Sequence, residues 1–427
     1  MSSPSLLPAA DPAAAPRTSE VLDAAARAAE LLRPDVVERD VAGGLPLREV
    51  AVLRETGLLA APVPADAGGG GAGIRDVLGA VRVLARVDGS AASLFGYHAV
   101  RVQSIGIAGR ATHAAGAEDA VRGRLLADTA REGWYWAGTG SAQEPDFALE
   151  PVEGGYRISG GKGFATGAAV ADRLVSGGVV TTASGADEGA REVLRFAVDP
   201  KRGGVSHLGD WDALGQRRTA SGGVALDDYL VRDDDVFGAF TFDPSDAQGG
   251  FARDPQATLI VPGFQLLFVN LYLGLAEGAV LEAAEYTRTR SRTWVHAQVD
   301  TPVDDPYVLR HYGEAVAQLE AASALARDAV DELAYGLARG AELTFEERSR
   351  IATRIAAAKV VSTRAALDVT ARVFEATGAR ATARSTGLDR FWREARTHTL
   401  HDPVEYKVRE LGEAFLVGRR PEPSHYR

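Results

Sequence analysis

The sequence predicts an α+β protein in which a helical domain, a small β domain and a bundle of long helices follow one another. Two observations carry this prediction. Apolar residues recur at helical spacing near both ends of the chain, and between them the apolar period changes to two over residues 134–241. At 427 residues the chain is also too long for one ordinary core, so two or three domains, or one large multi-layer body, are expected.

The predicted N-terminal helical domain covers residues 18–133 and follows a Pro/Ala/Ser-rich tail, residues 1–17, that we expect to be disordered. Pro34 ends its first helix, and Ser90 is the expected N-cap of its fourth. The glycine run at 68–73 follows a proline-containing loop rather than a strand. We therefore interpret it as a connection and not as a phosphate-binding loop.

The predicted β domain, residues 134–241, has roughly six short strands with no helix between them. FALEPVE, two glycines at 154 and 155, and YRISG are typical of a hairpin. Short strands joined by glycine-rich or acidic turns favour a small β-barrel or sandwich.

The predicted C-terminal domain, residues 242–427, is a four-helix bundle. Its long amphipathic segments are separated by short connections that contain proline or glycine. The segments are 255–291, 305–338, 344–377 and 387–417.

Composition excludes several classes of function. The net charge is -11 and the acidic residues are spread along the chain, whereas a nucleic-acid binder normally has a basic face, so nucleic acid and anionic membrane are not expected as partners. Without cysteine there is no disulfide, thiolate metal site or cysteine nucleophile, so redox chemistry needs a bound cofactor. The N-terminus does not read as a signal peptide, and no later window is expected to span a membrane, which predicts a cytoplasmic protein.

The densest cluster of proton-handling groups lies in RFWREARTHTLHDPVEYK, residues 390–407. His398 and His401 are three residues apart, so a helix would present both on one face, close to Asp402. From these residues alone a buried packing pair is the ordinary interpretation. A metal site with Asp402 as third ligand is an alternative, but no other His/Asp/Glu spacing supports it, and we predict no metal.

Several motifs, met in order and at compatible intervals, resemble one family. They are SLFGYH (93–98), ISGGKGFATG (158–167), DWDALGQRRTASG (210–222), YTRTR with a following Arg and Trp (286–294), FWREARTHTLHDPVEYK (391–407) and the closing P-x-PSxY (421–426). This set is similar to the acyl-CoA dehydrogenase superfamily, in its branch of flavin-dependent monooxygenases that resemble dibenzothiophene monooxygenase. The resemblance implies an acyl-CoA dehydrogenase-like fold over nearly the whole chain after the tail.

Within that resemblance, dehydrogenation and oxygenation can be told apart by the catalytic base. An acyl-CoA dehydrogenase needs a carboxylate to take the α proton, either in the first long bundle helix or near the start of the last one. Residues 255–276 and 396–401 contain no acidic side chain. Imidazole stands there instead, and it can exchange a proton with a flavin C4a-peroxide near neutral pH. We therefore predict His401 as the acid/base residue and His398 as its supporting neighbour.

The remaining site residues are implied by the resemblance. Phe164 and Thr166, with Gly167 in the same loop, would contact the isoalloxazine and its N5 edge, and Trp211 would form a second wall. Arg292 would reach the flavin phosphate of a neighbouring subunit, where a guanidinium can bind two oxygens. The same resemblance suggests Arg380 for the phosphate region, Ser141 for a flavin contact and Tyr97 for the substrate end of the pocket. Their ordinary interpretations are core aromatics, a strand hydroxyl and solvated arginines.

The predicted function is a two-component monooxygenase that uses FMNH2 and O2, with FAD as the less favoured flavin. It would oxidise sulfur, or nitrogen, of a small and largely apolar substrate. Because no dinucleotide fingerprint occurs in the sequence, a separate NAD(P)H-dependent flavin reductase is the implied partner, and the family form is a homotetramer. GTGSAQEPD (138–146) lacks the asparagine expected in sulfur-oxidising members. The alternatives are an amine or amino-sugar N-oxygenase, an acyl-CoA dehydrogenase or oxidase with Glu277 or Glu282 as base, and a non-catalytic scaffold.

Overall fold

The computed structural model describes residues 20–108, 117–140, 146–181, 191–242 and 254–423. Helices come first, strands occupy the middle, and long helices end the described chain. The first helices are α1 (Glu20–Leu32), α2 (Val36–Ala42), α3 (Leu47–Glu55), α4 (Ile74–Ala85), α5 (Gly89–Ala108) and α6 (Ala117–Glu132). The strands are β1 (Trp136–Gly138), β2 (Phe147–Val152), β3 (Gly155–Lys162), β4 (Arg173–Val180), β5 (Arg191–Val198), β6 (Val205–His207), β7 (Val224–Arg232) and β8 (Val236–Phe242). The last helices are α7 (Ile260–Thr289), α8 (Pro306–Arg339), α9 (Phe345–Thr377), α10 (Asp389–His398) and α11 (Val404–Val417).

The N-terminal helices agree with the sequence pattern, with one corrected cap. Pro34 lies in the short 3-10 turn that follows α1, as its missing N–H requires. The predicted N-cap Ser90 is wrong, because α5 already begins at Gly89. The carboxylate of Asp88 accepts the backbone N–H of Ala91 at 2.9 Å, so Asp88 is the residue that satisfies the open end of α5.

The glycine run at 68–73 is a connection, as predicted. Its backbone pairs with the preceding loop, the N–H of Gly70 donating to the carbonyl of Ala60 at 3.0 Å and that of Gly71 to Val63 at 2.8 Å. Because these N–H groups are already satisfied within the chain, they do not form a phosphate cradle.

The central region is a mixed sheet with the strand order β6-β7-β3-β2-β4-β5-β8, and β1 pairs with β4. The predicted hairpin is confirmed: β2 and β3 are antiparallel, with Val152 opposite Gly155. The strands β1, β6 and β8 were not predicted. β1 and β6 have only three residues each, too few for an alternating pattern to be read.

The C-terminal helices follow three of the four predicted segments closely. Asp305 caps α8 by accepting the N–H of Tyr307 at 2.8 Å, and Thr344 caps α9 in a reciprocal capping box with Glu347. The fourth segment is corrected. It is not one helix, because α10 ends at His398 and α11 begins only at Val404, after Pro403.

Ala257–Thr289, which contains α7, is long enough to cross a membrane, and an 18-residue window within it is apolar enough, with a mean hydropathy of 1.8. The expectation that no window approaches a span is therefore wrong at the level of composition. In the structure 83% of that window is buried inside the protein, so α7 is the central core helix and no membrane span is indicated. The larger of the two hydrophobic clusters among the described residues runs from α1 through the sheet to α10, and α7 contributes more buried residues to it than any other described element.

Candidate active site

The aromatic cluster is the group Tyr97, Phe264, Phe268, His398 and His401, where α5 and α7 meet the end of α10. The Phe268 ring centroid lies 4.7 Å from each of the two imidazoles. Tyr97 lies 6.3 Å from His398. The structure thus brings together three residues that the sequence analysis placed in one site.

His398 is buried and neutral. Its Nδ1 and its own backbone carbonyl both lie 3.1 Å from the hydroxyl of Tyr272 on α7. Burial, reinforced by the nearby His401 and Lys359, lowers the pKa of His398 to about 3. A ring that stays neutral across physiological pH cannot donate a proton as imidazolium, so its geometry suits the supporting role.

His401 does not share a helix face with His398. Its backbone N–H donates to the His398 carbonyl at 3.0 Å in the turn that follows α10, and Pro403 prevents the helix from continuing. The prediction of a common helix face is therefore wrong in its geometry. The turn nevertheless stacks the two rings, with centroids 6.1 Å apart and planes within 13° of parallel.

The carboxylate of Asp402 orients His401. His401 Nδ1 lies 3.2 Å from Asp402 Oδ1, and the imidazole is 39% exposed, so it can reach a bound molecule. Burial alone would raise the pKa of Asp402. The hydrogen bond from His401 and the ammonium of Lys359 outweigh that effect and hold the pKa well below its usual range. An ionised carboxylate on Nδ1 fixes the tautomer of His401, with the proton on Nδ1.

Lys359 of α9 is the residue that the sequence analysis missed. Its ammonium pairs with Asp402 and with the amide oxygen of Gln265, and it lies 5.0 Å from the centroid of the Phe268 ring. Burial lowers the pKa of Lys359 to about 8. A signal was present in the composition: this chain uses lysine only four times, and Lys359 is a lysine at an apolar position of a helix.

A second cluster surrounds the Phe164 loop, residues 163–167. Phe164 has a positive φ of 56° and is 70% exposed, with Trp211 edge-on at a centroid distance of 6.4 Å. Trp211 is fixed by its Nε1–H, which donates to the Gln216 carbonyl at 2.8 Å. A strained, exposed aromatic held beside a second one forms an apolar wall with open space in front of it.

Thr166 and Gly167 complete this loop. The hydroxyl of Thr166 lies 2.9 Å from that of Ser221. Gly167 has φ 71°, and a Cβ there would lie 2.2 Å from the hydroxyl of Tyr135, so only glycine fits. Two buried polar atoms in this region lack a partner among the described residues, namely the Tyr135 hydroxyl and Gln216 Nε2.

These features fit a flavin. An exposed aromatic wall suits a planar ring system, and unpartnered buried donors suit the carbonyl and nitrogen acceptors on its edge. The fit rests on Phe164, Trp211, Tyr135 and Gln216.

The other predicted residues stand apart from both clusters. Arg292 is exposed, and the guanidinium of Arg380 donates to the carbonyl of Arg290 at 2.7 Å, which places Arg380 beside the loop that carries Arg292. Ser141 lies outside the described residues. Within the described ranges, no three His, Cys, Asp or Glu side chains come together as metal ligands.

The two carboxylates considered for dehydrogenation are held in ion pairs. Glu277 is 2% exposed and pairs with Arg82 and Arg86. Burial would raise the pKa of Glu277, but the two arginines reverse the effect and lower it. Glu282 pairs with Arg390. Neither side chain is placed to act as a base, which argues against the dehydrogenase alternative.

Comparison with known proteins agrees with this geometry. Residues 18–117 match the family model "Acyl-CoA dehydrogenase, N-terminal domain", and residues 266–406 match "Acyl-CoA dehydrogenase, C-terminal domain". A dibenzothiophene monooxygenase of Mycolicibacterium goodii is 41% identical over 396 residues, which cover 91% of this chain and 92% of that protein. A probable FMNH2-dependent monooxygenase, SfnC, of Pseudomonas putida is 37% identical over 390 residues, 91% of this chain and 93% of that protein.

A solved structure extends the likeness to three dimensions. FMN-bound TdsC from Paenibacillus sp. A11-2 superimposes on this chain with a TM-score of 0.86 at 36% identity. The superposition covers 95% of this chain and 100% of the TdsC chain. The chain belongs to the acyl-CoA dehydrogenase family, in the branch of the dibenzothiophene monooxygenases.

Proposed function

We propose that this protein is a flavin-dependent monooxygenase that uses reduced FMN and O2 to oxidise the sulfur atom of a small substrate. The single observation that carries the proposal is the array of His401, Asp402 and Lys359 beside an aromatic cluster that contains no carboxylate base. The relatives in Mycolicibacterium goodii and Pseudomonas putida, named as a dibenzothiophene monooxygenase and a probable FMNH2-dependent monooxygenase, support the same reaction class.

Bound reduced FMN would supply the two electrons and two protons with which one oxygen atom enters the substrate and the other leaves as water. Phe164 and Trp211 would pack against its ring, and the Thr166 hydroxyl would hydrogen-bond at its edge. His401 would hold or release a proton at Nε2, because the ionised Asp402 fixes its Nδ1–H. His398, held neutral by burial, would keep that ring stacked in place.

Reduced FMN would come from a separate NAD(P)H-dependent flavin reductase in the cytoplasm. The support is that the glycine run at 68–73 is a backbone-paired connection rather than a dinucleotide loop, and that the name of the Pseudomonas putida relative specifies FMNH2. Arg292, exposed in one chain, would then serve the flavin phosphate of a neighbouring subunit in a homotetramer. Light scattering coupled to gel filtration tests the assembly, and a monomer that binds FMN tightly would contradict it.

To test the reaction, the His401→Asn variant is incubated with photoreduced FMN, O2 and dibenzothiophene. The sulfoxide product is then measured by chromatography. We expect turnover to fall by about 10²- to 10⁴-fold, the usual contribution of a positioned acid or base. FMN affinity, measured by quenching of flavin fluorescence, should not change. His207→Asn, an exposed histidine of β6, is the matched control. Normal sulfoxide formation by His401→Asn would contradict the role of His401, and failure of the unaltered protein to bind FMN would contradict the proposed function.

A further inference from the structure

Arg101 is a cation at the edge of the aromatic cluster. It lies on α5, one helical turn after Tyr97, and its guanidinium carbon is 5.3 Å from the centroid of the Phe264 ring. Phe264 in turn lies 5.6 Å from Tyr97. The guanidinium therefore adjoins the residues that line the proposed substrate end of the site.

No carboxylate of the described chain lies within ion-pair distance of this guanidinium. Its Nε is buried without a hydrogen-bond acceptor, although the side chain as a whole is only partly buried and so remains reachable. The charged group with the largest effect on Arg101 is a second cation, Arg195 of β5. Burial and that like charge lower the pKa of Arg101 to about 10, which still leaves it protonated at neutral pH.

Two arginines of the described chain with little exposed side chain, Arg39 and Arg390, have carboxylate partners. Arg39 pairs with Glu49 and Asp88, and Arg390 pairs with Glu282. Such pairing is the general rule, since an unpaired buried charge is costly. Arg101 departs from this rule at the edge of the candidate active site, since the described residues supply it with no counterion, and a bound anion could take that place.

The backbone makes room for both cations. A Cβ on Gly138 of β1 would lie 2.6 Å from Nη2 of Arg101, and a Cβ on Gly177 of β4 would lie 2.9 Å from Nη1 of Arg195. β1 and β4 are neighbouring parallel strands, with Gly138 opposite Val175, two residues before Gly177. Glycines on adjacent strands thus let the two guanidinium groups lie close to the sheet, where a side chain would displace them.

We propose that Arg101, supported by Arg195, binds an anionic oxygen-bearing group of the substrate, such as a sulfinate or sulfonate. A guanidinium can donate two parallel N–H bonds to two oxygens of such a group. The apolar part of the substrate would lie against Tyr97, Phe264 and Phe268. This inference rests on the proposed function and replaces the expected largely apolar substrate by one with an apolar body and an anionic head.

The experiment compares two phenyl probes that differ in charge, benzenesulfinate and thioanisole. Each is oxidised with photoreduced FMN and O2 in the presence of catalase, which removes free peroxide. For Arg101→Met we expect the KM of benzenesulfinate to rise about 10- to 100-fold, from the loss of charge-assisted hydrogen bonds. The KM of thioanisole should not change. Arg27→Met, an exposed arginine of α1, is the matched control, and Arg101→Lys should recover part of the loss.

A binding measurement separates this inference from the proposed function. Calorimetric titration of benzenesulfonate, which cannot be oxidised in this way, should give binding to the unaltered FMN-loaded protein and at least a tenfold weaker signal for Arg101→Met. If neither probe is oxidised but benzenesulfonate still binds, the proposed monooxygenase function is contradicted and the anion site is retained. Equal benzenesulfonate affinity in both proteins would overturn the anion site. So would a variant in which only FMN affinity falls, since Arg101 would then face the flavin.

Discussion

The ammonium of Lys359 and the carboxylate of Asp402 form a buried ion pair, with side chains 1% and 7% exposed. Asp402 also holds His401, so a residue of α9 acts on the imidazole through one shared carboxylate. A buried charge of this kind is stable only while its partner is present. Lys359 is therefore a positioning residue for His401.

Lys359→Met tests this pair. The substitution keeps the aliphatic stem but leaves the buried Asp402 carboxylate with no cation beyond the His401 hydrogen bond, so the free energy of unfolding should fall by about 3 kcal/mol. Urea unfolding followed by circular dichroism measures it. The double variant Lys359→Met with Asp402→Asn should recover part of the loss, because no charge then stays buried. Lys201→Met, an exposed lysine, serves as control, and an unchanged unfolding curve for Lys359→Met would refute the pair.

Glu277 gives a prediction about dehydrogenase activity. Because Arg82 and Arg86 hold its carboxylate, octanoyl-CoA with an artificial electron acceptor should give no turnover. Glu277→Gln should lower the free energy of unfolding by up to about 3 kcal/mol, since it leaves both arginines without their counterion. Oxidation of dibenzothiophene per folded molecule should persist. Reduction of the acceptor by the unaltered protein, abolished in Glu277→Gln, would restore the dehydrogenase alternative.

His98 makes the fold sensitive to acid. Its Nδ1 accepts the backbone N–H of Trp136 at 3.0 Å, and its Nε2–H donates to the carbonyl of Leu59 at 2.8 Å, so both nitrogens are used in the neutral ring. Burial lowers the pKa of His98 to about 4. In the unfolded chain His98 therefore binds a proton below about pH 6.5, whereas in the folded chain it binds one only below about pH 4.

The contribution of neutral His98 to the free energy of unfolding is fully present above pH 6.5 and is lost as the pH falls toward 4. The loss from this group amounts to about 3 kcal/mol across that window. Unfolding free energies measured by urea titration between pH 4.5 and 7.5 should show a steeper decline for the unaltered protein than for His98→Asn, whose amide oxygen can still accept from Trp136. Parallel pH profiles for the two proteins would contradict the assignment.

The sequence predicts local features, such as helix ends and turns, better than contacts between residues that are distant in the chain. Pro34, the hairpin before Gly155 and the capping of α9 follow from residues that are close in the chain. Pro403 could have predicted the break between α10 and α11, because the signal is local. Lys359 could not be joined to Asp402 in the same way, since only the packing of α9 against the end of α10 brings them together. Arg101 is harder still, because the observation that singles it out is the lack of a carboxylate partner among the described residues, which no sequence spacing reveals.

Phe164 provides the sharpest test of the flavin wall. Its ring is 70% exposed, so Phe164→Ala removes little buried surface and should change the free energy of unfolding by less than about 0.5 kcal/mol. FMN should bind about 2- to 10-fold more weakly, which is the range expected for one lost aromatic contact. Leu47→Ala, which changes a similarly exposed apolar residue of α3, should leave FMN affinity unchanged. The two effects separate because stability depends on what Phe164 buries in the free protein, whereas affinity depends on what it covers when FMN is present. Titration of flavin fluorescence with each variant measures the affinity, and identical dissociation constants for Phe164→Ala and the unaltered protein would place the flavin elsewhere.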